Sequence, residues 1–319
     1  MEVVPLIAPD HACRIAGLSL DLALRGGQAL AQALLAACIR YRHDLVVVFC
    51  DVNVEAEAVG AALDFPPGAF PHVREPAALD RGSWDFDPGR GRISVVLGAI
   101  RECRRILGPG APLAGCLKGP FSMAALALGT ESFLDSLLSD PGRAREALRR
   151  CSAFQSAYAR EIARAGAVPW FGDPLASEGL LGARWFREFA LPPLKEAVQA
   201  AVRNAGSAGL HVCGETGGIL DDLARAGARW VSLEFENARL VKPRLPGALL
   251  FGGVPTDLLL RGSPASLRLF CREAASRLPD GCVLASSCDV PELAPPENVE
   301  AMVEGAREGF AERETATRR

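Results

Sequence analysis

The sequence predicts a (β/α)8 barrel of the TIM type, regular or distorted, forming a single domain over residues 1–319. Three observations carry that expectation. Short apolar segments recur along the chain, each followed by a helical pattern, as in parallel sheets covered by helices on both faces. No strand is followed by G-x-G-x-x-G or G-x-x-x-x-G-K-[ST], so the phosphate loops of open doubly wound sheets are missing. Polar residues with chemical potential collect at strand ends, where barrels build their sites from several strands at once.

Taken in order, DLVVVFCD (44–51) is a valine-rich strand ending on an aspartate. APLAGCLKGP (111–120) is weaker and ends in Gly-Pro, and GAVPWFGDP (166–174) ends in Asp-Pro. GLHVCG (209–214), ARWVSLEFE (228–236), ALLFGGVP (248–255) and GCVLASSCD (281–289) follow. These are seven readable strands, and the position of an eighth is not legible. Between them, apolar residues at three- and four-residue spacing predict helices over 93–107, 141–165, 183–205, 218–226 and 264–278. The loop ALDFPPGAFPHVREP (62–76), rich in proline and glycine, is either a mobile edge of the barrel mouth or a plain connection. His72 within it reads as a surface histidine. The charged EGFAERETATRR at the end reads as a frayed helix or tail.

About half of the residues are hydrophobic (49%) and the net charge is −3. That supplies a large core and argues against nucleic-acid binding, which needs a basic face. The opening MEVVPLIAPDHACR has no basic segment leading into an apolar one, and no apolar run is long enough to span a bilayer. A soluble, cytoplasmic protein is expected. Ten cysteines are scattered through the chain. In a reducing compartment most cysteines are buried, inert thiols, so a cysteine gains interest only from its position.

Three positions stand out. His211 and Cys213 are two apart on a strand, so both side chains point the same way, and the glycine after them ends the strand. Cys288 closes another strand, VLASSC. One imidazole nitrogen and two sulfurs suit zinc, and three protein ligands leave the open position of a catalytic site. Cys282 is the competing ligand on that strand, but it sits at the strand's start, on the opposite face of a barrel. Cys13, Cys38, Cys103, Cys151 and Cys271 lie on helical or irregular stretches. Cys50 and Cys116 lie on strands without a ligand partner nearby in sequence. Glu234 and Glu236 share one face of the next strand, and either could supply a displaceable fourth oxygen. Glu234, closer to the regular strand, is the preferred one.

HVCG (211–214) followed by the cysteine of SSCDVP (286–291) resembles the H-x-C…C zinc pattern of the methylcobamide:coenzyme M methyltransferases, which belong to the uroporphyrinogen decarboxylase superfamily. DVNVEAEAVGAALDFP (51–66), KGPFSMAALALG (118–129), FGDPLAS (171–177), LLFGGVPTDLLLRG (249–262) and SSCDVPELAPPENV (286–299) are similar to blocks of that superfamily. The resemblance implies Zn2+ in the barrel mouth, held by His211, Cys213 and Cys288, with Glu234 as a resting-state ligand. It implies methyl transfer from the cobalt of a methylcobamide, carried by a separate corrinoid protein, to a small thiol whose proton the zinc removes. The thiol is coenzyme M by resemblance. Homocysteine, another small thiol or a tetrahydrofolate-linked transfer would use related chemistry. Asp51 falls in the block where the superfamily keeps an active-site aspartate, which implies substrate binding or catalytic support. The alternative is a helix N-cap before VEAEAVGAAL. The sulfonate of coenzyme M needs a cation or a helix N-terminus, for which Lys118 and the amides around Gly119 are available.

Two other readings compete. The superfamily's decarboxylases hold substrate carboxylates with an arginine-rich N-terminal segment, and would work here without metal. The corresponding PLIAPDHACRIAGLSL has one arginine, Arg14. A non-catalytic corrinoid- or zinc-binding module is the second. Oligomeric state is not legible.

Overall fold

The structure is a computed structural model that describes residues 1–317. Eight parallel strands form one sheet: β1 (Val3–Leu6), β2 (Val46–Val48), β5 (Leu113–Lys118), β6 (Val168–Gly172), β7 (Gly209–Val212), β8 (Trp230–Leu233), β9 (Leu249–Val254) and β10 (Cys282–Asp289). A separate antiparallel hairpin pairs β3 (Ala62–Asp64) with β4 (His72–Glu75). The order β1-β10-β9-β8-β7-β6-β5-β2 is that of a nearly closed barrel with interleaved helices, a (β/α)8 TIM barrel. All seven readable strands form, each a little shorter than its apolar run.

The eighth strand is VVPL, at the start of the chain. Its four residues include a proline, which cannot donate to the ladder and is tolerated only at an edge or an irregularity. Pro5 sits at such an irregularity, where the pairing with β10 jumps from Val4↔Ala285 to Leu6↔Asp289. Between β1 and β2, Asp44 closes the barrel. Its amide donates to the Val3 carbonyl (3.1 Å), and its carboxylate accepts from the Glu2 and Val3 amides at 2.6 and 3.1 Å.

The helices expected over 93–107, 141–165 and 264–278 form as Ile93–Leu107, Pro141–Arg164 and Pro264–Arg277. The pattern over 218–226 forms a shorter helix, Leu220–Ala226. The pattern over 183–205 does not give one helix. Leu191–Ala205 is regular, but a wide turn over Phe186–Ala190 precedes it. Pro192 and Pro193 bring no amide hydrogens to the preceding carbonyls, so the helix cannot continue backward with ordinary bonds. The loop 62–76 carries the β3–β4 hairpin, and His72 is exposed on it. Among the described residues no helix is long and apolar enough to cross a membrane. The last two residues of the charged C-terminal stretch lie outside the described residues.

The barrel interior has a solid floor. Trp170, Trp230 and Phe251 meet there with ring centroids 5.3–6.0 Å apart. The pairing aligns Trp170 with Gly209 and Gly209 with Trp230. A Cβ at Gly209 would lie 2.6 Å from the Trp170 ring, so only glycine lets β7 pass the indole. One step further along the strands, the next inward positions are Gly172, His211 and Ser232. Chemistry begins directly above the aromatic floor.

Candidate metal centre

His211 leaves β7 pointing inward, and Cys213 follows on the same face. Gly214, at φ 69°, turns the chain away in the left-handed region that favours glycine. The His211 ring is oriented by the neighbouring strand. Nδ1 lies 3.0 Å from the Ser232 hydroxyl, and Nε2 lies 3.1 Å from Cys213 Sγ. A proton on Nδ1, donated to Ser232, leaves the Nε2 lone pair free to bind a metal.

Cys288 reaches the same point through the irregularity in β10. Two steps of β1 face four steps of β10 between Val4 and Leu6, and an insertion of this kind re-aims side chains. The Leu6 amide, displaced from the ladder, donates instead to Ser286 Oγ (2.8 Å), and the Val290 amide donates to the Leu6 carbonyl (2.8 Å). Cys288 Sγ then stands 3.7 Å from Cys213 Sγ and 3.7 Å from His211 Nε2. The hydrogen bond between the two thiols pushes the Cys288 thiol down to about 4 and the Cys213 thiol far up.

The residues fit a zinc ion. Bond lengths of about 2.3 Å to sulfur and 2.0–2.1 Å to nitrogen, at tetrahedral angles, separate two sulfurs by about 3.8 Å and sulfur from nitrogen by about 3.5 Å. The observed edges of 3.7, 3.7 and 3.1 Å form one such triangular face. Among the described residues these three are the only His/Cys/Asp/Glu group whose ligand atoms gather so closely. Cys282 pairs with Leu250 at the far end of the strand.

The triad lines a cavity of about 220 Å³ with apolar walls that include Val47, Phe49, Trp170 and Pro174. Larger hollows lie elsewhere; the one of about 690 Å³ opens at the opposite ends of the strands, beside Leu113, Val168 and Trp230, away from the triad. Lys118 enters the cavity from β5, buried, with Nζ 4.9 Å from the centre of the Phe49 ring. Burial opposes its charge, but Cys116, Glu55 and Asp289 around it hold its pKa above the usual lysine value. Asp289 also lines the cavity. Its carboxyl is open to the cavity, yet the surrounding protein raises its pKa to about 6, with the neighbouring Cys288 adding to the effect.

The other expected site residues sit differently. The Gly119 amide is occupied by the Gly172 carbonyl (2.8 Å), and the helix start beyond it is filled by Asp173, whose Oδ1 accepts from the Ser122 amide (2.8 Å). A Cβ on Gly119 would fall 2.1 Å from Asp173 Oδ2, so the glycine serves close packing, and of the two anion-binding candidates Lys118 is the one that lines the cavity. Asp51 is buried and ion-paired with Arg92, and it accepts from the Asn53 amide (2.8 Å). Asn53, not Asp51, precedes the helix Val54–Ala58. Glu234 is exposed and accepts from the Gly214 amide (2.8 Å), outside the close group of three. Glu234 and Glu236 both line another hollow, not the cavity of the triad. Arg14 donates to the carbonyls of Glu292 and Ala294, 3.0 Å each, and does not line the cavity.

Ser232 and Arg92 were not found from sequence. Ser232 is the one polar residue inside WVSL, a signal that becomes useful only once β7 and β8 are in register. Arg92 lies 41 residues from Asp51, with no local pattern to join them.

Comparison with known proteins identifies relatives of the chain. A methylated-thiol–coenzyme M methyltransferase of Methanosarcina mazei is 28% identical over 264 residues, covering 81% of this chain and 71% of that protein. The methylcobamide:CoM methyltransferase MtaA of Methanosarcina barkeri is 30% identical over 230 residues, covering 70% of this chain and 66% of its own length. A solved structure of a methyltransferase from Methanosarcina mazei superposes with a TM-score of 0.87 at 27% identity, covering 96% of this chain and 94% of the other. The family model for uroporphyrinogen decarboxylase (URO-D) matches residues 4–309, from the first barrel strand to the last helix, and the chain therefore belongs to that family.

Proposed function

We propose that this enzyme is a zinc-dependent methyltransferase that moves a methyl group from a methylated corrinoid, carried by a separate corrinoid protein, to a small thiol such as coenzyme M. The observation that carries the reading is the convergence of His211 Nε2, Cys213 Sγ and Cys288 Sγ on one triangular face turned toward a cavity. Bound zinc would remove the proton of the acceptor thiol, because a coordinated thiol is deprotonated, and would hold the sulfur for attack.

The chain's own residues do the rest. Ser232 fixes the His211 ring. The apolar walls exclude water and orient a small acceptor. Lys118 offers a buried positive charge to an anionic group on that acceptor. Glu234, hydrogen-bonded one residue beyond Cys213, is the displaceable fourth ligand, and Asp51 supports the rim through Arg92. A reducing, cytoplasmic setting suits ten free cysteines. The decarboxylase reading is weaker, since Lys118 is the one cationic residue lining the cavity and a polycarboxylated substrate needs several.

The test is zinc per chain by elemental analysis, paired with thiol methylation from free methylcobalamin. About one zinc is expected, as for a single three-ligand site, together with methyl transfer. Cys213→Ala should lose both. Full activity in that variant would end the proposal.

A further inference from the structure

The cavity in front of the triad carries two charges of opposite sign that the protein leaves unmatched. Among the described residues, the Lys118 ammonium has no hydrogen-bond acceptor and no ion-pair partner at bonding distance; it lies over the face of Phe49, and Glu55 and Asp289 act on it only at longer range. The Asp289 carboxylate, directly after Cys288, has no hydrogen-bond donor either, and the two do not pair with each other. Two buried acids elsewhere are paired, Asp51 with Arg92 and Asp222 with Arg187 and Arg225, whereas Asp289 stands exposed at the cavity. A buried charge without a bonded partner, as at Lys118, is costly, and a ligand can supply that partner; Asp289 adds an open carboxylate on the same cavity wall.

We infer that the acceptor thiol carries both signs of charge, an anionic group for Lys118 and a protonated amine for Asp289, which makes it a small amino-acid thiol. The inference rests on the thiol-acceptor reading above and selects within it. A thiol whose only charge is negative would satisfy Lys118 and bring like charge toward Asp289. A zwitterion satisfies both. The volume of about 220 Å³ is below the ~300–1,000 Å³ of pockets for drug-sized ligands, so the acceptor is a molecule of a few carbons. Next to the triad, the amine and the sulfur of one such molecule would lie on the same side of the cavity, since Asp289 adjoins Cys288.

The matched pair for the test is L-homocysteine and 4-mercaptobutanoate, which differ only by the amine, with 2-mercaptoethanesulfonate as a second anionic thiol. Affinities are measured by titration calorimetry on the zinc-loaded protein. Coordination is followed by the absorption of the cobalt-substituted protein. Homocysteine should bind at least ten-fold more tightly than either anionic thiol. Asp289→Asn, nearly isosteric, should remove that advantage by weakening homocysteine alone, and Lys118→Met should weaken all three. Equal affinity of the matched pair in the unaltered protein overturns the inference without any variant, and so does an Asp289→Asn change that affects all three thiols alike. If no thiol, including neutral 2-mercaptoethanol, alters the cobalt spectrum, the thiol-acceptor reading itself fails, and this inference falls with it.

Discussion

The end of β2 and the ends of β7 and β10 lie on one rim of one barrel, and both present titratable side chains. Their bonding is opposite. At β2, Asp51 is enclosed by Arg92 and the Asn53 amide, and Arg92 is further held by Glu57 at 2.7 Å. At β7 and β10, three ligand-type side chains turn toward one another, beside a lysine and an aspartate that form no ion pair with each other. A strand end in a barrel is thus no site by virtue of place alone. The region whose donors converge on one point is the one equipped to bind.

The contrast can be broken by substitutions on either side. Loss of Cys213 stands at the large end, since a three-ligand site reduced to two should not retain zinc through purification. Arg92→Met should come next. It leaves Asp51 buried without its cation, which typically costs about 3–5 kcal/mol of stability. Chemical denaturation should report that loss while zinc content per folded chain stays unchanged. Lost zinc in the folded variant would mean that the two regions are one unit.

The opposite end of β2 supplies a smaller effect. His43 is buried, and neither ring nitrogen has a partner among the described residues. Burial pushes its pKa down to about 4. The folded value lies below the unfolded one of about 6.5, so the unfolded chain binds the extra proton first. The associated stability is complete above pH 6.5 and is lost as the pH falls from there toward 4, by an amount on the order of 3 kcal/mol. Melting curves at pH 7 and pH 4.5 should differ by less in His43→Leu than in the unaltered protein. An unchanged difference would locate the acid sensitivity elsewhere.

The smallest effect tests the bonding behind the triad. Ser232→Ala removes the partner of His211 Nδ1 and should weaken zinc binding by about 10–100-fold, the usual range for such supporting groups, with the fold intact. Competition with a chromophoric chelator measures it. No change in affinity would show that the ring is held by packing alone.

How much of this could be read beforehand depends on the range of the pattern. His211 and Cys213 were legible because two-residue alternation is local, and Cys288 because its strand visibly ends there. The partners that complete them were not. Ser232 needs the register between two strands, Arg92 needs a contact 41 residues away, and the first strand hides behind a proline. The bonding of the amides around Gly119 was hidden for the same reason, since Asp173, which fills that helix start, follows another strand. Of the five expected helices, three form nearly to the residue and the one that breaks carries adjacent prolines at its start, while Gly27–Tyr41 and Pro296–Thr317 are helices that the spacing did not disclose.

The irregularity in β10 has a consequence for biosynthesis. Ser286, which accommodates it, is bonded to Leu6 across 280 residues of sequence. As the polypeptide leaves the ribosome, VVPL waits unpaired while most of the barrel is made, and His211 and Cys213 emerge before Cys288 exists. The closing of this long loop is slow but adds little extra entropy per residue. The three-ligand face therefore comes together only when the earliest and latest strands have joined, so that a metal held there would mark a correctly folded chain and discriminate against partly folded ones.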